Sequence, residues 1–267
     1  MKPVYILVAG CSSAQCLWAE DFDRYSDYIK LLTLKDPRPV VANVASGFGA
    51  SAGVGYAAVS YSNFDTQTDS PNDDDGSIVV GLGLGDSNVI AVDFAIGITS
   101  VSTGLWGDGK FADEGNINLK LHRRVAPQSG GQAASVSLGA SNITGWGSTT
   151  ENPTNYYAAY SENINFGQFK QYGIGFTIGY GSAVSDMETK SDPFAGIGFG
   201  YDDYSVSVSR VGDSASVTLT WFPEFLDNVS VSLSNVGMLN NATPDEDSIL
   251  SLSYSLDTST LWRKVSE

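Results

Sequence analysis

A two-residue beat runs along most of this chain and leaves few folds open to it. Ser205-Val206-Ser207-Val208-Ser209 is followed by Ser216-Val217-Thr218-Leu219-Thr220, by Val229-Ser230-Val231-Ser232-Leu233-Ser234 and by Leu250-Ser251-Leu252-Ser253-Tyr254-Ser255-Leu256. A β-strand points successive side chains to opposite faces. The beat therefore specifies strands with one face of Val, Leu, Ile or aromatic residues and another of Ser, Thr, Gly or Ala. Neither face is strongly charged. Periodicity alone does not say which face is inside. A face this rich in Gly and Ala would leave a solvated sheet bare, whereas it relieves crowding inside a closed barrel.

The pattern predicts about twelve strands, at 45–62, 77–85, 88–98, 115–125, 133–142, 154–165, 169–181, 193–201, 203–211, 214–222, 226–236 and 246–257. Each is about nine residues or longer, the length a tilted strand needs to cross a bilayer, whereas strands of soluble proteins average about 5–6. Long links at 63–76, 99–114, 143–153, 182–192 and 237–245 alternate with short ones around Gly85-Asp86-Ser87, Phe166-Gly167, Asp202 and Pro223-Glu224. The link at 126–132 is intermediate, and the tight Gly212-Asp213 turn breaks the alternation. Long loops at one end and short turns at the other are the asymmetry of membrane barrels. An even strand number puts both ends of the barrel chain on the short-turn side.

Two strands sharpen the reading. Residues 88–98 set Ile90, Val92, Phe94, Ile96 and Ile98 against Ala91, Asp93, Ala95 and Gly97. Residues 172–180 set Tyr172, Ile174, Phe176, Ile178 and Tyr180 against Gly173, Gly175, Thr177 and Gly179. Aromatic residues at strand ends form girdles at membrane–water boundaries. Tyr172, Tyr180, Trp221, Phe222 and Phe225 are the expected girdle, each with ordinary core packing as the alternative.

In this pattern residues 45–257 resemble the bacterial outer-membrane β-barrel class, most like its porin-type channels. No diagnostic motif carries the resemblance. It departs from the class after the last strand, where many members end on a terminal Phe and this chain continues through residues 258–267. The resemblance implies an all-β, antiparallel, up-and-down transmembrane barrel of about twelve strands with a short N-terminal helical segment. It implies a location in the bacterial outer membrane and passive diffusion of small solutes or ions, with lipid as partner, no cofactor and no enzymatic activity.

Lys120-Leu121-His122-Arg123-Arg124 is the densest positive cluster. If Leu119 and Leu121 meet lipid, then Asn116, Asn118, Lys120, His122 and Arg124 make a polar ladder on the inner wall, because charges near the midplane of a lipid face are costly. Arg123 then faces outward, where a long side chain can snorkel. Asp93 falls on the inner face of the preceding strand. Opposed charges across a narrow lumen tune ion selectivity, and an ion-pair network that braces the barrel is the other reading of the same residues. His122 is the single histidine. It has no serine motif beside it, so a Ser-His hydrolase is disfavoured, and no cluster has metal-ligand spacing.

Thirty acidic residues against 14 basic give a net charge of −16, which excludes the basic footprint of a nucleic-acid binder. The acids cluster at Asp73-Asp74-Asp75, Asp113-Glu114, Asp186 with Glu188, and Asp245-Glu246-Asp247. They read as solvated loop charges, with divalent-cation bridging as the sharper alternative. Met1-Lys2 and the apolar run Val4–Gly10 read as a secretory leader cleaved after Ser12-Ser13-Ala14 or after Ala19, as a lipoprotein signal acylated at Cys11, or as an uncleaved or misassigned start. Cys11 and Cys16, the two cysteines, both lie there. Phe22, Tyr25, Ile29 and Leu32 share a helix face within 20–44, a segment expected near the barrel mouth on the periplasmic side or as a plug. Two other function classes stay open: a non-conducting secreted or outer-membrane structural or adhesive protein, and a membrane-embedded enzyme.

Overall fold

The computed structural model describes residues 41–50, 52–63, 74–99, 112–167, 172–183, 190–223, 229–236 and 247–257. Within them the two-residue beat becomes twelve strands: β1 Val54–Asn63, β2 Asp74–Asp86, β3 Ile90–Thr99, β4 Glu114–Val125, β5 Ala133–Trp146, β6 Asn155–Phe166, β7 Tyr172–Gly181, β8 Asp192–Tyr201, β9 Tyr204–Val211, β10 Ser214–Trp221, β11 Val229–Val236 and β12 Asp247–Asp257. Every neighbouring pair is antiparallel, and β1 pairs with β12 from Val54↔Asp257 to Asn63↔Ser248, which closes the barrel. Closure pairs every wall strand on both sides and leaves no sheet edge.

The wall settles which face is inside. Ser60, Ser137, Ser161, Ser207, Thr218 and Ser232 are buried, while Val80, Leu84, Leu138, Ile178, Ile197 and Leu233 are each more than half exposed. A protein in water would have the reverse. The inward hydroxyls find each other across strands: Ser60 with Ser77, Ser161 with Thr177 and Ser209 with Ser216 at 2.6 Å, and Thr218 with Ser234 at 2.8 Å. These pairs satisfy polar groups that the closed wall removes from bulk water. The apolar face meets lipid, and the fold is a transmembrane barrel.

The loop asymmetry also has a structural form. Between β8 and β9 only two residues turn the chain, with Asp202 in the left-handed region at φ 51°, and between β9 and β10 Gly212 does the same at φ 55°. At the intermediate link, Glu162 of β6 gathers the turn 126–132 over the wall. Its carboxylate accepts the N–H groups of Gln128, Ser129 and Gly131, each at 3.0 Å, and the hydroxyl of Tyr160. On β5 a bulge opposite Asn118 puts Asn142 at φ 53°, and Asn118 Oδ1 accepts the Asn142 N–H at 2.9 Å.

The first strand differs from its expected span. The wall begins at Val54, and residues 45–50, placed in the barrel by their alternation, leave the sheet and lie inside it. Val44, Ser46 and Phe48 alternate with Ala45, Gly47 and Gly49, so a segment packed on all sides by small contacts imitates a strand. The leader with Cys11 and Cys16, the helix-face residues Phe22, Tyr25, Ile29 and Leu32, and the tail 258–267 lie outside the described residues.

Candidate functional site: an occupied lumen

Residues 41–50 cross the lumen from wall to wall. Nine of the ten are buried, and Asn43 is half-buried. At one end Ala50 donates its N–H to Asp93 Oδ2 of β3 at 3.2 Å, and its carbonyl lies 3.1 Å from His122 Nε2 of β4. Lys120 Nζ of β4 donates to the Phe48 carbonyl at 2.9 Å. In the middle, Gly47 N–H donates to Ser161 Oγ of β6 at 2.8 Å, and Ser137 Oγ of β5 donates to the Ser46 carbonyl at 2.9 Å. At the far end Asn43 Nδ2 donates to Ser216 and Thr218 of β10 at 3.3 and 3.0 Å, and Ala42 N–H to Ser207 of β9 at 3.3 Å. In a ring of twelve, β4 and β10 stand opposite each other.

The segment's own composition permits this fit. A Cβ on Gly49 would come within 2.4 Å of the His122 ring, and one on Gly47 within 2.2 Å of the Ser135 carbonyl. Val41, Val44 and Ala45 meet two large side chains that point inward, Tyr157 and Phe194. Those rings lie flat over Gly139 and Gly179 of neighbouring strands, so the lumen keeps room for the chain.

Each residue expected on the inner wall can now be placed. Asp93, Asn116, Lys120 and His122 are inward and buried, and Asn118 and Arg124 are inward and half-buried. Asp93, Lys120 and His122 come together on residues 48–50. Asp93 also accepts the Tyr56 hydroxyl at 2.5 Å and stands 3.9 Å from Lys120 Nζ. Asn116 and Asn118 bond to each other at 2.8 Å, above that group. The His122 ring meets the Ala50 backbone carbonyl through Nε2. No group of three or more His, Cys, Asp or Glu side chains is placed to hold a metal among the described residues.

The aromatic positions divide. Tyr172 and Trp221 lie in one row with Phe166, Tyr201 and Tyr204, aligned across β6 to β10 by direct pairing at the short-turn ends. Tyr172 stacks on Phe166 at 5.5 Å and on Tyr201 at 5.2 Å. Tyr180 sits at the long-loop end of β7 and is 55% exposed. Phe222 departs from its expected place: the strand period that turns Trp221 outward turns Phe222 inward, where it is buried, with its N–H on the Asp203 carbonyl at 2.8 Å. Phe225 lies outside the described residues. Sequence reasoning missed Phe166, Tyr201 and Tyr204, whose signal was their position beside short turns.

The wall is a membrane wall. No family model matches the chain, and no curated protein matches it. Solved structures similar to it include the KdgM porin, at 10% identity and a TM-score of 0.46 over 75% of this chain and 99% of that one. Omp33 of Acinetobacter baumannii matches at 10% and 0.45, over 76% and 97%. The outer-membrane phospholipase A of Escherichia coli matches at 8% and 0.45, over 79% and 98%. A channel and an enzyme stand side by side in this set, so the functional reading rests on the chain's own wall and lumen.

Proposed function

We propose that this protein is a bacterial outer-membrane channel for small solutes or ions, and that residues 41–50 are the plug that closes it. The observation that carries the reading is a hydroxyl-lined lumen crossed by a segment outside the sheet. No strand pairing holds that segment. Its backbone groups go to Ser hydroxyls, Asp93, Lys120 and His122, and the Asn43 amide to Ser216 and Thr218, partners that water or a polar solute can replace. The ladder Asn116, Asn118, Lys120, His122 and Arg124, with Asp93 facing it, is then the wall of the pathway uncovered when the plug leaves. The reading needs no cofactor and no chemical step, and lipid and the passing solute are the partners it requires.

The filled lumen supports a second reading, a structural or adhesive barrel that never conducts. Planar bilayers separate the two. The intact protein is expected to show low, intermittent conductance, and a chain lacking residues 20–51 behind the leader to show steady, stepwise conductance. Silence of both, with the truncated barrel still folded by its heat-modifiable gel migration, would overturn the channel reading and leave the structural one.

A further inference from the structure

The outer wall carries a feature that the channel reading does not use. A groove of about 640 Å³ runs over β3 to β7, with Leu121, Val136, Leu138, Ile178 and Tyr180 among its apolar walls and the small Ala158 in its floor. Its volume falls in the range of small-molecule sites, roughly 300–1,000 Å³. Arg123 stands at one end. It is two positions from the short-turn end of β4, whereas Tyr180 is next to the long-loop end of β7. The groove therefore climbs obliquely through the apolar belt from one membrane boundary toward the other.

Among the described strand residues two arginines face outward, Arg123 and Arg210. Arg210 is held by the Gly212 carbonyl at 2.9 Å and by Asp213 at 3.7 Å. Arg123 is exposed and its guanidinium has no acidic partner among the described residues. The acids on the same side of the wall near that end are Asp86, whose Oδ1 accepts the Asn88 N–H and side-chain amide at 2.9 Å, and Glu162, whose oxygens are committed to Gln128, Ser129, Gly131 and Tyr160. Arg123 thus offers a planar, permanently charged donor set at the head of a hydrocarbon-sized groove, the geometry that suits a phosphate oxygen.

We propose that this groove binds one anionic phospholipid of the short-turn-side leaflet, its phosphate on Arg123 and an acyl chain along Ala158. The site is independent of conduction through the lumen. The test measures lipid binding by native mass spectrometry of the intact protein in mixed micelles containing phosphatidylglycerol or phosphatidylcholine. The expected result is about a tenfold preference for phosphatidylglycerol, lost in Arg123→Gln and kept in Arg210→Gln. Ala158→Leu, which fills the floor from the lipid side, should weaken retention of both lipids and leave the preference unchanged. Equal retention of the two lipids by the native protein overturns the proposal, as does a preference that survives Arg123→Gln.

Discussion

Asp93→Ala should unlatch the plug. Asp93 and Lys120 are both buried, 3.9 Å apart, and Asp93 also receives the Ala50 N–H while Lys120 holds the Phe48 carbonyl. Removing one partner of a buried ion pair strands the other and costs about 3–5 kcal/mol. That cost falls on the closed state alone, because Lys120 regains water once residues 48–50 move away. A penalty of this size shifts the closed-to-open ratio by roughly two to three and a half orders of magnitude. Single-channel recording in planar bilayers reads it as open probability, and the closed wall ladder should leave the thermal stability of the barrel nearly unchanged. The double variant Asp93→Ala with Lys120→Met removes the stranded charge and should lower open probability at least about tenfold from the single variant. An Asp93→Ala channel that opens no more often than the native one would refute the latch. So would a double variant as open as the single.

Three further outcomes follow from the same contacts. Ser46→Cys with Ser161→Cys, in a background lacking Cys11 and Cys16, joins side chains whose hydroxyls are 3.3 Å apart; oxidation should abolish opening and reductant restore it, measured on one membrane. Glu162→Gln should loosen the turn 126–132, since bonds to a charged acceptor are worth about 1.5–3 kcal/mol each, and limited proteolysis at Gln128–Gly131 should quicken several-fold. Lys190, in the link between β7 and β8, has its pKa raised, first by its hydrogen bond to Asp192 and then by the charges of Asp192 and Asp213. A raised folded-state pKa means that this contact is fully present below the pKa of an ordinary lysine and is lost as pH climbs through the higher folded value; an NMR titration of Lys190 should move down toward the ordinary lysine value in Asp192→Asn.

Most of the wall was legible in the sequence because strand period is a local property. Val206 and Ser207 point apart whatever surrounds them, so β9 and β10 fall within one residue of their expected spans. The inward placement of Lys120 and His122 followed from the cost of putting their charges in lipid. What stayed hidden was what those residues touch. Val44 to Ala50 alternates like a strand, and nothing local distinguishes a segment paired to neighbours from one enclosed by them. The difference lies in partners more than one hundred residues away, such as Ser161 and Ser216. Phe222 was misplaced for a related reason: proximity to a turn was used where the period, counted from Trp221, gave the direction.

The position of residues 41–50 also constrains assembly. They precede β1, yet their partners include Ser207 and Ser216, and the seam that encloses them joins Val54 to Asp257. A segment made before the wall is held by strands made well after it. A completed cylinder would admit this segment only through its mouth, against the side chains of Tyr157 and Phe194. The direct route is for the curling sheet to collect its own N-terminal segment before the seam zips, so that the occupant serves as a mandrel around which the last strands are laid. Long-range closure of this kind is slow, and a chain lacking the segment should close its seam at a different rate even where the finished walls are identical.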